Sequence, residues 1–300
     1  MGGVLGSRED APLPTTVIDP FEHEQRYILT RAQAIGFYEA IGPRALLELY
    51  DAERPICYTR TTYLDTDDYA YFRSCDEPVA RRLRIREYAA AYAVGETPVL
   101  SGMCFLELKQ SVGTTRSKIR LEAPPAVLQE ILDGRRAASG PVVMPADAAA
   151  ERAAESDGDG MEPLRAIEVL RSELAAGRLA PRLSTMYRRT CMTGEGGRVR
   201  ITLDEGLIFS LPQPIGAAGE PAPARDVVAT GPARVLEIKH WGEMPDWLSR
   251  AVEGLSPAPS FSKFRVGMLA LKQQGSAPNL PESPAETVAP TLFLLTGHGS

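Results

Sequence analysis

The chain has 300 residues, with 33 Lys or Arg against 39 Asp or Glu, a formal net charge of −6 and a pI near 5.3. That length carries one large or two small domains with a sizeable core. An acidic whole excludes diffuse, charge-driven binding to nucleic acid or anionic membrane, so basic residues that bind an anion must be clustered. Cys57, Cys75, Cys104 and Cys191 are widely spaced without a C-x-x-C, and His23, His240 and His298 share no ligand spacing. Both facts argue against a zinc site or disulfide framework and for reduced thiols in a cytoplasmic setting. No signal-peptide pattern opens the chain. The longest late apolar run, residues 291–296, falls far short of the roughly 20 residues that span a bilayer.

Residues 1–20, rich in Gly, Pro and small polar residues, predict a disordered segment. Residues 21–29 predict a strand with Glu22, Glu24 and Arg26 on one face, and a helical pattern follows over 30–41. Residues 56–65 alternate as a strand, and Asp65-Thr66-Asp67-Asp68 predicts a turn capping a short helix. Strands are predicted at 79–90, 102–110 and 116–123. Pro124-Pro125 opens a helix reaching residue 140, since Pro in a first turn loses no hydrogen bond. Residues 141–163 turn to Ala, Asp, Glu and Gly and predict a flexible insertion, followed by a helix over 164–176. Strands recur at 183–193, 197–204 and 233–241, with a Pro/Ala/Gly-rich flexible connection over 211–231. Helices are predicted at 247–255 and 264–272, then a loose tail over 273–300. Many strands with helices at their ends predict an α+β protein built on a closed antiparallel β-barrel with flanking helices.

Five of these segments alternate ion and oil: Arg82–Arg86, Glu107–Lys109, Lys118–Glu122, Arg198–Asp204 and Val235–Lys239. Successive strand side chains point to opposite faces, so each run has one ionic and one apolar face. The ionic positions are mostly basic. Like charges at neighbouring positions repel unless carboxylates or an anion compensate. The planar fork of Arg matches phosphate oxygens two at a time, so Arg82, Arg84, Arg86, Arg120, Arg198 and Arg200 point to a polyphosphate-like ligand. Glu22, Glu24, Glu107, Glu122, Asp204 and Glu237 share those faces, and most serve to neutralise neighbours. One or two could hold a divalent cation together with phosphate oxygens, Glu237 first, beside Lys239. Ser262 predicts a helix N-cap, and the free N–H groups there, with Lys263, suit phosphate. Neither a glycine-rich phosphate loop nor a nucleophile elbow occurs.

In these motifs the chain resembles the VTC domain, the polyphosphate polymerase branch of the triphosphate tunnel metalloenzymes, also called CYTH-like. The matching elements run in family order: Glu22-His23-Glu24-Gln25-Arg26-Tyr27, Tyr63-Leu64-Asp65-Thr66, Arg84-Ile85-Arg86-Glu87-Tyr88 and Phe105-Leu106-Glu107-Leu108-Lys109. They continue through Lys118-Ile119-Arg120, Tyr187-Arg188-Arg189, Arg200-Ile201-Thr202-Leu203-Asp204, Leu236-Glu237-Ile238-Lys239 and Phe261-Ser262-Lys263-Phe264, over about residues 21–272. The resemblance implies a β tunnel whose basic lining holds ATP phosphates and a growing polyphosphate chain. It implies Arg26, Arg84, Arg86, Lys109, Lys118, Arg189 and Arg200 as phosphate ligands and Glu237 as ligand of Mn2+ or Mg2+, with Glu24 and Glu107 as further metal candidates. Ser262 and Lys263 would close one mouth. Arg26 stands where a lysine is usual, and Ser260 where fungal polymerases carry another lysine. The implied activity is transfer of the ATP γ-phosphate onto polyphosphate. Hydrolysis of tripolyphosphate or a nucleoside triphosphate, and polyphosphate binding without turnover, are the alternatives. Delivery of product across a membrane would need a separate membrane partner.

Overall fold

The computed structural model describes residues 15–17, 23–49, 51–112, 115–122, 124–132, 179–277, 279–281 and 293–294. The alternating segments become strands: β1 (Thr15–Val17), β2 (His23–Leu29), β3 (Ala45–Glu48), β4 (Ile56–Asp65), β5 (Val79–Ala91), β6 (Val99–Val112), β7 (Thr115–Glu122), β8 (Ala180–Gly194), β9 (Val199–Ser210), β10 (Val227–Gly231), β11 (Arg234–His240) and β12 (Phe293–Leu294). Helices α1 (Arg31–Ile41), α2 (Ala70–Arg73), α3 (Pro125–Leu132), α4 (Asp246–Ala251) and α5 (Lys263–Gln273) flank them.

The strands form one sheet in the order β1-β7-β6-β5-β4-β8-β9-β10-β12. β11 joins β9 to β2, β3 adds to β8, and the pairings are antiparallel. From β6 to β2 the path runs through β5, β4, β8, β9 and β11, yet Lys109 Nζ of β6 lies 3.8 Å from Glu24 Oε2 of β2. Two strands so far apart along a sheet meet only when the sheet curls round on itself. Among the described residues no backbone ladder closes the curl. The expected closed barrel is therefore a strongly curled sheet whose seam is crossed by side chains.

The apolar positions of β2, β9 and β11 cover the convex side. Tyr27, Leu29, Val199, Ile201, Leu203, Leu236 and Ile238 pack with Phe37 and Ile41 of α1 and Leu248 of α4. α1 starts where predicted, with Thr30 and Gln33 in a reciprocal capping box. A second core gathers around α5, where Phe264 stacks on Tyr63 with ring centroids 4.9 Å apart. The turn read at Asp65 is also there. Its buried carboxylate accepts from the backbone N–H groups of Thr66, Tyr71 and Phe72 at 2.8–3.0 Å and so seats α2.

Parts of three segments expected to be loose are paired or packed. Thr15–Val17, in the segment expected to be disordered, pairs with Ile119–Leu121 of β7. The connection over 211–231 packs on the sheet: Ala222 is fully buried, the Gln213 amide donates to Leu211 O and Arg225 O, and the segment ends in β10. In the tail, Phe293–Leu294 pairs with β10. Pro and Gly density had suggested mobility, but burial of small side chains and backbone pairing outweigh it. β3 was missed because Leu46 and Leu47 are both exposed and give no alternation. The helix expected over 247–255 ends at Ala251 and continues as turns. The insertion over 141–163, the helix over 164–176 and the end of the helix over 124–140 lie outside the described residues.

Candidate active site

Register decides which ionic residues meet. In β5 and β6, Arg84 stands opposite Glu107 and Arg82 opposite Lys109; β7 places Arg120 opposite Glu107 and Lys118 opposite Lys109. In β9, β11 and β2, Glu237 lies between Thr202 and Arg26, and Lys239 between Arg200 and Glu24. Arg189 of β8 faces Asp204. Directly opposite residues share a face, and the Lys109–Glu24 contact joins the two groups across the curl. Arg26, Arg82, Arg84, Arg86, Lys109, Lys118, Arg120, Arg189, Arg200, Lys239, Glu24, Glu107 and Glu237 therefore share the concave face. α5 enters at one end, its first residue Lys263 bonding Asp204 Oδ2 at 2.7 Å.

The carboxylates fall into two kinds. Glu107 is fully buried, with Oε2 2.7 Å from Arg84 Nε, Oε1 2.6 Å from Arg120 Nε, and Arg86 at 3.8 Å. Burial alone would raise its pKa, but Arg86, Arg84 and Arg120 hold it well below the usual carboxylate range. Asp204 accepts both Arg189 donors at 2.7 and 2.8 Å as well as Lys263; against burial, these two cations keep it low. Both are clamps that aim guanidinium groups. Both oxygens of Glu107, a candidate metal ligand from sequence, already accept short charge-assisted bonds.

Glu237 and Glu24 share Arg26 as a close guanidinium partner. Glu237 Oε2 accepts from Arg26 Nε at 3.0 Å, while Oε1 has Lys239 Nζ at 4.0 Å among the described residues; against burial, Arg26 and Lys109 hold its pKa low. Glu24 bonds Arg26 through one oxygen, and its other has Lys239 and Lys109 at 3.6 and 3.8 Å. A hard divalent cation fits at this pair, since oxygens with distant ammonium partners can exchange them for an ion. Among the described residues no three ligating side chains already converge. Such an ion would draw further oxygens from a phosphate ligand.

The cations are crowded. Burial pushes Lys109 and Lys118 down to about 7 and Lys239 to about 8. Burial opposes the charge on Arg86, but Glu107 keeps it firmly protonated. Two predicted ligands stand apart. Arg198 sits in the exposed turn before β9, 3.8 Å from Glu195, because its backbone is helical and the strand begins only at Val199. Ser262 spends its hydroxyl capping α5, accepting from Arg265 N at 3.4 Å. Arg200 lies at the rim, half exposed, with Cys191 Sγ at 3.4 Å and Glu48 at 4.0 Å.

Sequence reasoning missed the neutral part of the lining. Tyr187 is buried beneath Arg189 and Lys263, whose charged groups lie 5.3 and 4.8 Å from its ring. Burial works against its ionisation, yet Arg189 and Arg86 pull its pKa down overall. The Tyr88 hydroxyl accepts from Arg120, whose guanidinium lies 4.5 Å above the Phe105 ring. Thr61 stands between Arg86 and Thr185 and Thr59 between Tyr88 and Tyr187; the three threonine hydroxyls are buried without a hydrogen-bond partner among the described residues. The alternation of 56–65 carries this signal.

Fold and lining together define a curled antiparallel-sheet α+β protein whose concave face suits a multiply charged anion. The chain belongs to the VTC domain family, whose model matches residues 21–272. None of the curated proteins matches the chain. Among solved structures, it is similar to a putative adenylate cyclase of Bacillus halodurans, with 12% identity over 81% of this chain and 94% of that one and a TM-score of 0.43. It is also similar to the RNA triphosphatase Pct1 of S. pombe, with 12% identity over 82% and 67% and a TM-score of 0.18. Scores this low add nothing to the family assignment. No described helix is long and apolar enough to cross a membrane.

Proposed function

We propose that the concave face is the active site of a metal-dependent phosphotransferase that moves the γ-phosphate of ATP onto a polyphosphate chain. The observation that carries this reading is the division of its carboxylates: Glu107 and Asp204 aim guanidinium groups through short bonds, while Glu237 Oε1 has Lys239 Nζ only at 4.0 Å among the described residues. Arg84, Arg86, Arg120 and Arg189 hold and orient phosphate oxygens by charge-assisted bonds. Lys109, Lys118 and Lys239, with Arg26, Arg82 and Arg200, neutralise the remaining charge. Lys263 holds the end at α5. The attacking oxygen already belongs to an anion, so no side chain has to remove a proton from it. Catalysis is then positioning plus preorganised charge stabilisation. A divalent cation, when bound by Glu237 and Glu24, supplies Lewis-acid neutralisation of the bridging phosphate oxygens.

Hydrolysis of tripolyphosphate by the same lining is the second reading, favoured by the position of α5. Phe264 on Tyr63 and Lys263 on Asp204 stand at one end of the concave space, where a growing chain would otherwise leave. Purified protein is incubated with ATP and Mn2+, and ADP, free phosphate and polyphosphate are resolved. ADP with polyphosphate in step supports transfer. ADP with free phosphate and no polymer overturns it in favour of hydrolysis.

A further inference from the structure

The convex side of β2 and β11 carries a feature that phosphate handling does not use. His23 and His240, 217 positions apart in sequence, are directly opposite residues at the ends of these two strands. Their parity is that of Gln25 and Ile238, so they face away from Glu24 and Lys239. The rings lie 4.8 Å apart between centroids with a 30° tilt. They line an open cleft of about 530 Å³ together with Gln25, Glu243, Met244 and Ser249.

His240 is 4% exposed. Its Nδ1 lies 2.8 Å from Gly242 O. A carbonyl oxygen can only accept, so Nδ1 carries the hydrogen and neutral His240 presents a lone pair at Nε2. That Nε2 is buried without a hydrogen-bond partner among the described residues. A buried polar atom left unpaired is destabilising, and a backbone carbonyl fixing the other ring nitrogen is the usual arrangement behind a metal-bound imidazole. Two imidazoles sharing one ion at about 2.1 Å have centroids roughly 4.5–5.3 Å apart for near-tetrahedral to right-angle geometry. The observed separation falls within that range.

We propose that His23 and His240 bind a transition-metal ion of the zinc class in this cleft, on the face of the sheet opposite the phosphate lining. Imidazole nitrogens select Zn2+, Ni2+ or Cu2+ over the hard Mg2+ and Mn2+ that suit Glu237 and Glu24. Glu243 stands at the cleft wall, and water completes the coordination. The ion ties β2 to β11 directly behind Glu24 and Lys239 and so fixes the register that aligns the lining.

Metal-stripped full-length protein, kept in excess Mg2+, is titrated with Zn2+ by calorimetry, and its melting temperature is followed in parallel. The expected result is one Zn2+ per chain and a rise in melting temperature. Both are lost, or weakened about tenfold or more, in His23→Ala and in His240→Gln. Glu237→Gln binds Zn2+ as wild type does. His23 is exposed, so its truncation leaves the fold intact. Absence of Zn2+ binding at micromolar concentration overturns the proposal, as does unchanged binding by His23→Ala. Loss of binding in Glu237→Gln places the ion on the concave face and overturns it equally.

Discussion

Single carboxylates decide what this cationic face can do. Among the described residues Glu107 is the carboxylate shared by Arg84, Arg86 and Arg120, and it has no exposed surface. Glu107→Gln leaves three guanidinium groups without their counter-charge and is expected to lower stability by about 3–5 kcal/mol in urea unfolding. Tripolyphosphate should recover part of that loss by supplying the missing negative charge. Equal stability of variant and wild type would mean that the arginines find other partners. Glu237→Gln has a different expected outcome: ATP still binds, because the basic lining survives, while divalent-metal-dependent turnover is lost. Turnover at the wild-type rate would remove Glu237 from the site. Arg86→Ala is expected to weaken triphosphate binding by about 1.5–3 kcal/mol, read by calorimetry.

The element at one end of the concave face is α5, and it packs on the sheet through one glycine. A Cβ on Gly267 would meet Leu183 Cδ2 at 2.4 Å and Phe209 Cδ1 at 2.6 Å, both on the sheet beneath the helix. Ala normally favours a helix interior over Gly by about 1 kcal/mol. Overpacking acts in the opposite direction by about 1–3 kcal/mol, and the two close contacts make it the larger effect. Gly267→Ala is thus expected to destabilise by about 1–2 kcal/mol in net. It also lifts α5, which moves Lys263 from Asp204 and weakens phosphate binding. A variant more stable than wild type would show that Leu183 and Phe209 repack freely. β2 and β11 act as a second unit, since one pairing aligns Arg26 with Glu237 on one face and His23 with His240 on the other.

At the scale of the whole molecule, the depressed lysines are expected to make the proposed phosphate binding and stability depend on pH in opposite directions. Lys109 and Lys118 have folded-state values of about 7, against about 10.4 for a free lysine. Above pH 7 the folded chain has therefore released protons that the unfolded chain still holds. Their contribution to stability rises with pH between about 7 and 10. The phosphate ligand prefers the charged lysines, so binding takes up protons and weakens over pH 7–9. Melting temperature should rise with tripolyphosphate, by the equivalent of about 2.7 kcal/mol at 100 times its dissociation constant. The increment should shrink from pH 6.5 to pH 9. An increment independent of pH, or one matched by sulfate at equal ionic strength, would mean that these lysines do not hold the ligand.

The sequence alone determined the long strands, because alternation of ion and oil follows directly from the two faces of a strand, and it determined the basic character of one face. It also carried the Asp65 turn as a cap, since capping depends on neighbours a few residues away. Partnership across strands was beyond it. Which carboxylate clamps guanidinium groups and which stays open follows from register, a property of pairs such as Arg84 with Glu107 and Glu237 with Arg26. The packing of Gln213 and Ala222 in the 211–231 connection depends on a sheet surface that local composition does not encode. The meeting of His23 and His240 depends on the pairing of two strands from opposite ends of the chain. The curl that brings β6 against β2 arises from accumulated strand twist over the whole sheet, and only the tertiary structure could decide it.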